Sequence, residues 1–217
     1  MGNIEIGLYT SGNNRGGTIS RIDRAVTVQD YLDAVNDFIV SAPLDRLWGK
    51  RGDSCRGCDY CCHEPLPVTS IDVLNLITAT KKSFTEVFSY LWVEVRGELV
   101  DITLRRDKKQ SCCFLSPQGT CTIYSHRPLV CQTYICFVTT PEMEDIRGIL
   151  VNSGMDDLIR RAIIDFAQIG RTIPINKGVK PKISLKDWPP NIYSGKNSYR
   201  QIELSQVLPA RLLNRTG

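Results

Sequence analysis

The 217-residue sequence predicts an α+β protein: a small cysteine-rich domain with short antiparallel strands, flanked by helices and followed by an extended C-terminal tail. Three observations carry this. Apolar residues recur at helical spacing in several stretches, one run alternates in the manner of a strand, and nine cysteines crowd into two clusters.

The first two dozen residues, with the Gly- and Asn-rich "SGNNRGG", read as a flexible or loosely docked lead. From Thr27 a helix is well signalled. Val28, Tyr31, Leu32, Val35, Phe38 and Ile39 share one face, Thr27 and Asp30 make a capping pair, and Pro43 lies just beyond. The first cysteine cluster, Cys55 to Cys62, sits in a Gly- and Asp-containing loop. A second helix is predicted from about Ser70, with Ile71, Leu74 and Ile77 on one face. The capping box from Ser83 to Glu86 announces a third, carrying Val87, Phe88, Leu91 and Trp92 inward. "ELVDITLRR" then alternates, with Val100, Ile102 and Leu104 to one side, as a strand should. "CCFL" and "TCTIY" read as two short strands around the Pro-Gln-Gly turn. Pro128 opens a short helix, since proline suits the first helical position. A last helix is predicted from Asp156 to Ala167, burying Leu158, Ile159, Ala162, Ile163 and Phe166. The expected divisions are 1–49 (lead and helix), 50–138 (cysteine-rich domain), 139–170 (helical extension) and 171–217 (basic, Pro-containing tail). That tail holds no cysteine and should be dispensable for whatever the cysteines do.

Composition is that of an ordinary globular chain, with a formal charge of +4. The N-terminus lacks the basic and apolar regions of a secretory signal, Ile6 stands where a myristoylation signal wants Ser or Thr, and no apolar run approaches membrane-spanning length. A cytoplasmic location without membrane contact is therefore expected. Thiols in that compartment stay reduced, so nine cysteines, an odd number, call for a purpose other than disulfides. No Walker loop, GxGxxG or Gly-x-Ser-x-Gly is present, which excludes sequence support for nucleotide-dependent and serine-hydrolase chemistry. Between Arg171 and Arg200 seven Lys or Arg face only Asp187. With aromatic interleaving limited to Trp188, Tyr193 and Tyr199, this reads as a solvated face rather than a nucleic-acid groove.

Cys55-x2-Cys58-x2-Cys61-Cys62 forms one half of a candidate metal site. Cys112, Cys121 and Cys131 offer the other from across two helices and a strand. Cys-x2-Cys turns bring two sulfurs to one metal in zinc knuckles and ferredoxin loops alike, and successive x2 gaps resemble the ferredoxin run. Adjacent side chains diverge in extended backbone, so Cys61 and Cys62 are expected to serve different centres or opposite edges of one. Cys131 falls one turn into the helix opened by Pro128, where the helix dipole should lower its pKa. Arg56 and Arg127 could offset thiolate charge. His63 is a lesser ligand candidate, and His126 a surface or hydrogen-bonding residue. Cys113 and Cys136 read as buried small hydrophobes. Asp72 and Glu86 are helix-start residues, and Phe114 and Tyr124 packing around the cluster.

"CRGCDYCC", "VTSIDVLNLITATKKSFTEVF" and "CCFLSPQGTCTIYSHRPLVCQTY" together resemble the CxxCxxCC family, also called the YkgJ-type cysteine-cluster proteins, which is regarded as zinc- or iron-chelating. Its Cys-Pro-Phe-Leu, Gly-x-Cys-x-Ile-Tyr and Arg-Pro-x-x-Cys elements fall on Cys112 to Leu115, Gly119 to Tyr124 and Arg127 to Cys131. Cys113 departs from the pattern's proline and Gln132 from its frequent arginine. Flagellin lysine-N-methylases carry a similar cluster in a longer chain. The resemblance implies a metal-binding protein with Cys55, Cys58, Cys61, Cys62, Cys112, Cys121 and Cys131 as ligands of an iron–sulfur cluster or of zinc, the x2 spacing favouring the former. It could have a redox or protein-modifying role. A methyltransferase-like enzyme and a zinc-stabilised nucleic-acid or protein adaptor are the alternatives.

Overall fold

The computed structural model describes residues 4–42, 59–133, 137–178 and 183–213. Helices combine with two small antiparallel sheets, so the fold is α+β. Helix α1 (Val28–Ser41) starts where the sequence places it. Thr27 Oγ1 accepts from Asp30 N and the Asp30 carboxylate accepts from Thr27 N, and Val28, Tyr31, Leu32 and Val35 are buried. Helix α2 (Ser70–Thr80) repeats the device with Thr69 and Asp72, and Lys81 ends it in the left-handed region at φ 59°.

The third helix is shorter than predicted. α3 (Phe84–Val87) carries the expected capping box from Ser83 to Glu86, but the chain tightens into a 3-10 turn at Phe88–Tyr90 and becomes strand β3 at Leu91–Arg96. Leu91 is buried as expected, whereas Trp92, on the opposite side of the pleat, is 36% exposed. β3 pairs with β4 (Leu99–Leu104), setting Leu91 opposite Leu104, Val93 opposite Ile102 and Val95 opposite Val100. These six side chains form one buried face. Both edges are covered: Leu104 N and Val68 N bond across to Leu66 O and Ile102 O, while Asn176 N and Val95 N bond to Val93 O and Lys177 O.

The N-terminal lead is not loose. It folds into a hairpin of β1 (Ile4–Ser11) and β2 (Asn14–Ile22), with Ile19 and Ile22 in the core. β2 docks by its glycines. Gly17 N donates to Val138 O at 3.0 Å, and a Cβ on Gly16 would come within 1.8 Å of that oxygen. The glycines that suggested looseness are thus the residues that permit close packing. "CCFL" and "TCTIY" are not strands either. Only single bridges, Arg106 to Cys112 and Leu115 to Cys121, flank tight turns there.

Helix α4 (Leu129–Thr133) follows Pro128 as expected. Helix α5 (Pro141–Gln168) begins well before Asp156, with Pro141 in its first turn and Glu142 and Glu144 complementing its N-terminus. It packs against α2, α3, α4, β2 and β4. No described helix is long and apolar enough to cross a membrane.

Beyond residue 171 the chain runs in turns and short helices, among them α6 (Leu204–Val207) and α7 (Ala210–Leu213). It is built into the core. Tyr193, Tyr199, Ile202, Leu204, Leu208 and Leu212 are all buried, so the segment contributes to the core rather than forming only a solvated face.

Gly154 lets α5 lie against the start of α2. A Cβ there would sit 2.6 Å from Thr69 Cβ and 3.0 Å from Tyr193 Cε1, whereas one on Gly148, in the same helix, would meet nothing within 4 Å. Gly154→Ala should therefore destabilise the protein by about 1–3 kcal/mol. Gly148→Ala should be neutral or stabilise by up to about 1 kcal/mol through helix propensity. Thermal unfolding of the two variants side by side checks the contrast, and equal midpoints would refute it.

Candidate metal centre

Three pieces of chain bring described cysteines together. The first is a 3-10 turn, Tyr60–His63, closed by Cys62 N donating to Asp59 O at 2.9 Å and Glu64 N to Cys61 O at 3.2 Å. The second is the pair of turns holding Cys112 and Cys121, knitted by Leu115 N to Cys112 O and Thr122 N to Phe114 O, both 2.9 Å. The third is α4, which carries Cys131. One short bond, Cys112 N to Cys62 O at 2.7 Å, locks the first piece onto the second. Cys112 is buried, Cys61, Cys62, Cys121 and Cys131 are half-buried, and all are free thiols.

These five thiols lie within electrostatic reach of one another: Cys131 feels Cys61, Cys112 and Cys121, and Cys62 feels Cys61, Cys112 and Cys131. Among the described residues, however, no three His, Cys, Asp or Glu side chains form a group that could hold a metal ion. Of the remaining expected ligands, Cys55 and Cys58 lie outside the described residues, as do Arg56 and Cys136. The donor set suits a soft metal, since thiolates select zinc and iron–sulfur centres.

The neighbouring cysteines behave differently from the expectation of divergent side chains. The backbone at Cys61 and Cys62 is helical rather than extended. The Cys62 thiol hydrogen-bonds the Cys61 sulfur, which with help from Arg127 lowers Cys61 to about 7 despite burial, and the same bond pushes Cys62 up. Cys112 and Cys113 show the same split, Cys112 lowered and Cys113 raised, although the Cys113 thiol donates to Tyr90 O. Cys113 is exposed, its Sγ 3.7 Å from Tyr90 O, and not the buried small hydrophobe that was expected.

Cys131 also departs from expectation. Its pKa is raised well above the ordinary thiol value, first by burial and then by Cys61, Cys112 and Asp72. A five-residue helix has little dipole to offer, and its first amide is already satisfied, Leu129 N donating to Asp72 Oδ1 at 2.9 Å.

Around the thiols, Arg127 lies over the Tyr124 ring at 4.3 Å and donates to Asn36 Oδ1 at 2.7 Å. Gln132 joins this network through Arg127 O and Asn36. Phe114 stacks with Tyr90 at 5.0 Å. His63 is engaged by its ring nitrogens, Nδ1 with Ser111 Oγ at 3.2 Å and Nε2 3.8 Å from Asp59 Oδ2. His126 Nδ1 pairs with Ser125 Oγ at 3.0 Å, a hydrogen-bonding role as expected. The residue that sequence reading undervalued is Asp72. It caps α2 as expected, but it is fully buried, and its Oδ1 accepts from Tyr199 OH at 2.7 Å as well as from Leu129 N.

Residues 54–147 match the CxxCxxCC family, described as "Putative zinc- or iron-chelating domain". The matched stretch, less than half of the chain, holds Cys61, Cys62, Cys112, Cys121 and Cys131 of the described thiols, together with α2 and the β3–β4 hairpin. No curated protein and no solved structure matches the chain.

Two expectations follow. Burial raises Asp72 to about 6 from 3.8, against hydrogen bonds from Thr69, Tyr199 and Leu129 that lower it. A carboxyl raised on folding contributes stability that is complete below about pH 4 and lost as pH climbs through about 6, worth up to about 3 kcal/mol. Urea unfolding of the metal-free chain should show this decline, and Asp72→Asn should flatten it between those limits. An unchanged slope in Asp72→Asn would refute the assignment. Second, Cys112→Ser should lower metal content and stability, whereas Cys113→Ser, at an exposed position, should keep the metal stoichiometry. Metal-to-protein ratios of the two variants prepared together decide, and loss confined to Cys113→Ser would reverse the ligand assignment.

Proposed function

We propose that the chain is a metal-binding cysteine-cluster protein in which Cys55, Cys58, Cys61, Cys62, Cys112, Cys121 and Cys131 supply thiolates to an iron–sulfur cluster or zinc. The observation that supports the reading is that five of these thiols, on three chain segments, lie within electrostatic reach of one another, with the Cys112 N to Cys62 O bond joining two of the segments. When bound, the metal would supply electron transfer if iron–sulfur, or a structural cross-link if zinc. Cys61 and Cys112, both shifted down, would be the first to enter as thiolates, and Arg127 beside Cys61 would offset accumulating negative charge. The successive x2 gaps from Cys55 to Cys61 favour the iron–sulfur cluster.

Protein prepared anaerobically should be brown, with iron and acid-labile sulfide in proportion. Colourless protein with stoichiometric zinc, even from iron-rich medium, would replace the iron–sulfur assignment by zinc. Protein with neither metal after reconstitution would refute the reading altogether.

A further inference from the structure

Four capping boxes begin helical segments of the described chain, at Thr27/Asp30, Thr69/Asp72, Ser83/Glu86 and Ser184/Asp187. Only the Asp72 carboxylate is fully buried. Capping alone does not require this, since exposed Glu86 performs the same task from solvent. Burying a carboxylate is costly unless its lone pairs are used. Asp72 uses one oxygen, Oδ2, for Thr69 N at 2.9 Å. The other, Oδ1, receives Leu129 N and Tyr199 OH. Tyr199 OH is in addition 2.6 Å from Thr69 Oγ1.

Leu129 opens α4, and Cys131 sits in that same turn. Five residues are too few to sustain a helix unaided, so the position of Cys131 depends on what grips its ends. Thr133 Oγ1 bonds only within the turn, to Leu129 O at 3.0 Å. Arg147 Nη1 reaches Thr133 O at the far end, and Asp72 holds the near end. Tyr199 arrives on the C-terminal segment, which is fastened beside it by Val28 N to Ile202 O and Leu204 N to Val26 O, both 2.8 Å.

We propose that Asp72 and Tyr199 are positioning residues for Cys131, so that the C-terminal segment takes part in holding the metal although it contains no cysteine. This rests on the metal-binding reading above. Tyr199 aims the carboxylate, the carboxylate anchors the first amide of α4, and α4 presents the thiol. Partners one step removed from the ligands commonly change metal affinity about 10- to 100-fold when mutated.

The test compares Tyr199→Phe with Tyr193→Phe in the full chain. Tyr193 is equally buried and loses a comparable bond, to Leu150 O at 2.9 Å, but does not touch Asp72 through its hydroxyl. Zinc affinity is read by chelator competition, and the alkylation rate of Cys131 in the metal-free chain by mass spectrometry. Tyr199→Phe should weaken zinc binding about 10-fold or more and speed alkylation of Cys131, while Tyr193→Phe matches wild type in both. Equal effects in the two variants, or none in either, would overturn the proposal. Faster Cys131 alkylation in Tyr199→Phe with no zinc bound by wild type would uphold the positioning role and refute the metal reading instead.

Discussion

A carboxylate without water around it must be surrounded by donors, and Asp72 is. Three hydrogen bonds, from Thr69 N, Tyr199 OH and Leu129 N, converge on this carboxylate, and Asp72 N donates in return to Thr69 Oγ1. They come from the start of α2, the start of α4 and a segment far along the chain. Moving any one of these elements strands a buried polar group, so their relative placement is fixed by satisfaction of hydrogen bonds rather than by apolar contact alone. Gly154 lies beside the same residues, where α5 approaches Thr69 too closely to admit a Cβ.

The helix starts were legible because their signals are local. Thr27 with Asp30, Thr69 with Asp72 and Ser83 with Glu86 each declare an N-terminus within four residues. What followed α3 was not legible in the same way. Leu91 suits the buried side of a helix or a strand equally, and only pairing with Leu104 across the hairpin decides for the strand. The N-terminal hairpin was missed for a related reason. Gly16 and Gly17 look like freedom when read alone, and become close packing only once Val138 is opposite them. The tail was undervalued since its prolines and lysines mask six well-spaced core residues, and nothing near Tyr199 in sequence hints at Asp72.

In the cysteine region the sequence could not indicate how neighbouring thiols differ from one another. The expectation of divergent side chains assumed extended backbone. A 3-10 turn at Cys61 and Cys62 and a tight turn at Cys112 and Cys113 instead let the adjacent thiols influence one another, the first shifted down and the second up. Cys131 taught the reverse lesson: proximity to a helix start counts for less than burial when the helix is one turn long and its first amide is taken.

The order in which the chain is made gives the Tyr199 contact a further meaning. Synthesis completes Cys61, Cys62, Cys112, Cys121 and Cys131 well before Tyr199 leaves the ribosome. Through that interval α2 and α4 lack the hydroxyl that completes their shared carboxylate, and the thiols stand on elements not yet clamped. Tyr199 is thus a late arrival, and the hydrogen-bond set of Asp72 closes only after every described cysteine has been made.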